Sequence, residues 1–84
     1  MEKKEIELMK VQLVVEKELY LMGYGIDTIH EMTANEKLAL LIIPRNLRNA
    51  KYRLLLSDDF TTSQVDNAFE RYMSVLVSDV VATA

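Results

Sequence analysis

At 84 residues the chain has room for one domain, and a domain of this size buries only about 60% of its unfolded surface. Half of the residues are hydrophobic, cysteine is absent and the formal net charge is −3. These totals exclude a disulfide-stapled scaffold, thiol chemistry and a bulk electrostatic pull toward nucleic acid or anionic lipid.

The start, Met1-Glu2-Lys3-Lys4-Glu5, mixes charges and has no clean apolar run behind it, unlike a secretory signal. The longest apolar run, Leu38 to Pro44, falls far short of the roughly 20 residues that span a bilayer. A soluble, cytoplasmic protein is expected. Charge is unevenly placed: residues 44–56 carry Arg45, Arg48, Lys51 and Arg53 with no acid, whereas 57–84 carry a net −4.

Residues 2–22 read as the first helix, rich in Glu, Lys, Leu and Met and with acids near its positive end. Gly23 suits the left-handed position past its end, with Tyr24 folding back on Leu19. At 100° per residue the helix has two apolar stripes. Leu8, Val11, Val15, Leu19 and Met22 form one; Ile6, Met9, Leu13 and Tyr20 lie almost opposite. A helix on the surface of a monomer needs one stripe. The second stripe is therefore expected to meet another subunit or partner, making Ile6, Met9, Leu13 and Tyr20 the candidate oligomer interface. The alternative is a central helix wrapped by its own chain.

Thr28 to Met32 predicts a short helical turn, and Thr33-Ala34-Asn35-Glu36 is a capping box that opens a helix over 34–43. Pro44 must break or bend that helix, and a further helix is expected over 44–56. An apolar stripe runs through the break as Ala39, Ile43, Leu47, Ala50 and Leu54. The last helix, 62–81, opens with Thr61-Thr62-Ser63-Gln64 as a capping box and Phe60 with Val65 as a hydrophobic staple. Val65, Phe69, Tyr72, Leu76 and Val80 give it one stripe, and its Val-rich end reads most simply as helix. The expected fold is all-α: a small bundle of three to four helices (about 2–22, 34–43, 44–56 and 62–81), one domain, completed by oligomerisation.

The catalytic inventory is thin. His30, with Asp27 and Glu31 nearby, has the chemistry of a general base or metal ligand, but no second His or Cys supports it, and a surface His in a turn is the plainer reading. Gly23-Tyr24-Gly25 is too short for a dinucleotide fingerprint, and Asp58-Asp59 lacks calcium-loop spacing. No catalytic residue, cofactor or metal is expected, and the chain is read as a non-enzyme.

The basic segment is the best functional candidate. On a helix, Arg45, Arg48, Asn49, Tyr52 and Arg53 fall within an arc of about 140°, opposite Leu47, Ala50 and Leu54. Arg and Tyr are enriched at binding hot spots, and Arg grips carboxylate or phosphate in a bidentate way. The plainer reading is a solvated face, with Asp58 and Asp59 pairing with Arg53. The expected function is a protein–protein interaction module, a small regulatory, accessory or inhibitor protein. It would act as a homodimer or higher oligomer, with an acidic client at the Arg face. The alternative is a helix-turn-helix regulator that binds nucleic acid through the Arg45–Arg53 helix. Residues 54–69 can be laid on that motif, but its recognition helix would carry Asp66, Glu70 and, as its sole cation, Arg71.

Overall fold

Each helix end that the sequence marks with a local signal is found in the computed structural model. The structure describes residues 3–57 and 60–83, with side chains for 7–57 and 60–82. Five α-helices follow in order: α1 (Lys3–Leu21), α2 (Ile26–Glu31), α3 (Ala34–Leu41), α4 (Pro44–Ser57) and α5 (Thr62–Thr83). No strand occurs among the described residues, so the class is all-α. The short α2 is a fifth element, two residues earlier than the turn read from sequence.

Gly23 ends α1 with φ +107°, where a side chain would be strained. Tyr24 N–H donates to the Leu19 carbonyl at 3.2 Å and Gly23 N–H to that of Tyr20 at 3.0 Å, the two bonds of a Schellman ending. Thr33 caps α3: its hydroxyl accepts from Glu36 N–H at 3.2 Å while the Glu36 carboxylate accepts from Thr33 N–H at 3.4 Å. Thr61 and Gln64 repeat that exchange at the start of α5, at 3.2 and 2.8 Å. The Asp58-Asp59 pair lies outside the described residues.

The break before Pro44 is two residues long, where the sequence predicts helix up to residue 43. α3 stops at Leu41, and Pro44 takes the first position of α4, where a missing N–H costs nothing. The stripe drawn through the break is therefore corrected. The turn at 42–43 resets the helical phase, so Ala39 and Ile43 face solvent and Leu41 is buried instead. Asn46 holds the corner. It is buried, and its Nδ2 donates at 2.9 Å to the carbonyl of Leu40, one of the C-terminal carbonyls that α3 leaves without a helical partner.

α1 packs on α4 and α5, α3 on α4 and α5, α4 on α5, and α2 against α1. Val11, Val14, Val15 and Leu19 from α1 join Ile29, Leu41, Ala50 and Leu54, and Val65, Ala68, Phe69, Tyr72 and Leu76 from α5, in one apolar cluster. Two buried carboxylates anchor α1. Glu18 receives Arg53 of α4 at 2.9 Å, and Glu7 receives Arg71 of α5. Such pairs add little net stability over apolar packing, but removing one partner strands the other charge.

The Tyr72 hydroxyl is pushed up to about 12 by burial, with the negative charge of Glu16 adding to the effect. The folded chain thus holds this proton more tightly than the unfolded one, whose phenol titrates at 10.0. The stability tied to it is fully present below that value and is lost as the pH rises through about 12. Urea midpoints measured across this window should fall for the native chain and fall less for Tyr72→Phe. Parallel declines would mean that the phenol is no less ionisable in the fold than in the unfolded chain.

Candidate interaction surfaces

The outer side of α1 is apolar and uncovered. Met9, Leu13 and Tyr20 are 55%, 64% and 51% exposed, and their spacing puts them on one face, away from the Val11–Val15–Leu19 core. Ile6 lies where no side chain is described. The described residues do not wrap α1 at these positions. Leu13 and Tyr20 continue with exposed Ile26 and buried Ile29 into a groove of about 350 Å³ between α1 and α2. Its polar edge holds Glu16, Lys17 and His30; the imidazole is exposed and stands 3.8 Å from the Glu16 carboxylate. Among the described residues no group of His, Cys, Asp and Glu has the make-up of a metal site.

The basic face of α4 splits in two. Arg45 and Arg48 are exposed and make no ion pair among the described residues, and Tyr52 is 60% exposed beside them. Asn49 and Arg53 turn the other way. Arg53 binds Glu18 of α1, and Asn49 Nδ2 donates to the same carboxylate at 3.5 Å. Lys51, at the edge of the face, pairs with Asp66 of α5 at 3.3 Å. Two cations of the segment are thus structural, leaving Arg45, Arg48 and Tyr52 as its outward-facing part.

Between α4 and the first turns of α5 lies an open groove of about 430 Å³. Pro44, Leu47, Tyr52, Leu55 and Val65 supply its apolar lining, with Arg48 on its rim. Leu47, which belongs to the apolar stripe expected from sequence, and Leu55, which does not, are both partly buried against the core. The available signal was Leu47 and Leu55 eight residues apart on α4, about 80° around the helix and so within one broad apolar face.

The helix-turn-helix alternative gains nothing from α5. Its exposed side carries Asp66, Asn67 and Glu70, and Arg71 is held by Glu7. No helix among the described residues is long and apolar enough to cross a membrane. Compared with protein-family models, curated proteins and solved structures, the chain matches none.

Proposed function

We propose that this chain is a non-enzymatic interaction module, a small regulatory, accessory or inhibitor protein that self-associates through α1 and binds an acidic protein through α4. The observation that carries the reading is the outer face of α1, where Met9, Leu13 and Tyr20 stand in solvent while the opposite face is fully used by the core. A small domain gains by burying such a face, since removing apolar area from water contributes about 25 cal/mol per Å². The outward-facing Arg45, Arg48 and Tyr52 support the second contact, because these residue types concentrate binding energy. The lack of cysteine fits a reducing, cytoplasmic setting.

Size-exclusion chromatography with light scattering tests it. The native chain should run as a dimer or larger species. Met9→Glu combined with Leu13→Glu should run as a monomer with unchanged helix content, because both positions face solvent in the single chain. A native monomer at all concentrations overturns self-association. Retention on heparin that Arg45→Ala and Arg48→Ala abolish would instead support the nucleic-acid alternative.

A further inference from the structure

The α4–α5 groove combines three properties that together select one kind of occupant. Its floor is apolar, made by Leu47, Leu55 and Val65 with Tyr52 as a side wall. Its α4 rim is basic, with Arg48 on the lining and Arg45 one turn before it, and neither is paired with a described acid. Its length along α4, from Pro44 to Leu55, is about 16 Å, or three turns of a second helix. Lys51 and Asp66 also line the groove but pair with each other, so a strand of nucleic acid, which needs a track of cations, meets Arg48 alone on the lining. A small molecule would stay largely uncovered in so open a groove.

We infer that this groove seats an acidic amphipathic helix from a partner protein. The helix lays apolar side chains at i, i+3 or i+4, and i+7 on Leu47, Leu55 and Val65, as helix-in-groove recognition requires. Its carboxylates face Arg45 and Arg48, whose planar guanidinium groups take them in bidentate fashion. Charge complementarity selects this occupant. A second copy of the chain is disfavoured, because the groove is not self-complementary and a heterologous contact would extend into rings or fibres. The inference rests on the reading of α4 as a partner-binding face and adds which groove is filled and by what.

The test uses a phage-displayed library of helix-forming peptides about 18 residues long, roughly five turns, selected on the full chain. Selected peptides are expected to carry an apolar stripe flanked by Asp and Glu. They should shift the amide resonances of 45–55 and 62–66, and weaken about tenfold or more on Leu55→Ser and on Tyr52→Ala. Tyr52 is mostly exposed, so the second variant keeps the test valid if Leu55→Ser fails to fold. Arg45→Ala with Arg48→Ala should weaken binding several-fold and flatten its salt dependence. Acidic peptides that depend on Arg45 and Arg48 but not on Leu55 or Tyr52 would overturn the groove and leave the α4 reading intact. Peptides that shift α1 alone, or a selection that yields no helical binder, would overturn both. Concentration-dependent shifts of 45–55 in the chain by itself would name a second copy as the occupant and overturn the partner helix.

Discussion

Phe69→Ala should cost about 3–5 kcal/mol and shift the urea midpoint far below that of the native chain. Phe69 is among the largest fully buried side chains and sits on the helix that packs against α1, α3 and α4. Truncating it removes the transfer free energy of the ring and opens a cavity that three helices must collapse to fill. The whole stability of an 84-residue chain is about 4–13 kcal/mol, so this one change takes a large share of it. The control is Val77→Ala on the same helix. Val77 is exposed, and its loss should be within about 0.5 kcal/mol. Urea unfolding followed by far-UV circular dichroism separates the two. Equal midpoints for both variants would mean that α5 is not packed by the face carrying Val65, Phe69, Tyr72 and Leu76.

Asn46→Asp should be the most damaging near-isosteric change in the chain, with an expected loss of several kcal/mol. Asn46 is buried, its Nδ2 donates to the Leu40 carbonyl, and its Oδ1 has no partner. Replacing the amide by carboxylate removes the donor, points an acceptor at a carbonyl oxygen and buries a charge. Asn46→Ala removes the donor without adding charge and should cost about 1–3 kcal/mol. The order matters more than either value. Stability should fall from native to Ala to Asp, and hydrogen exchange should show α3 losing protection first, because it is the end of α3 that Asn46 caps. An Asp variant as stable as the Ala variant would mean that the side chain does not donate across the corner.

What could be read from the sequence is what lies close along the chain. The caps at Thr33 and Thr61 and the ending at Gly23 each need residues within five positions of one another, so their geometry follows from local chemistry alone. The α5 stripe likewise follows from periodicity. The corner at Asn46 was missed because its partner lies six residues back across a bend, where helical phase no longer applies. The same bend misplaced Ala39 and Ile43. The anchors of α1 were out of reach for a different reason: Glu18 meets Arg53 35 residues away, and Glu7 meets Arg71 64 away. Nothing in the composition says which of several acids a given Arg will face. The candidate surface was therefore legible as a cluster of residue types on α4, but not which of them the fold consumes. The groove beside it needs two helices to exist, and no single-helix pattern contains it.

Glu7 and Glu18 are eleven residues apart on α1, three turns, so they emerge on nearly the same side of that helix. With Arg71 holding one and Arg53 the other, they work as the two teeth of a key. A slip of one residue would turn α1 by about 100° and disengage both at once. An apolar helix rolled on an apolar bed has many settings of similar energy; a toothed one has a single setting. The consequence falls on the far side of the rod: whichever residues look outward do so because the carboxylates beneath them are locked. The aim of Met9, Leu13 and Tyr20 is thus set by the core packing of Val11, Val15 and Leu19 together with charges that never touch them.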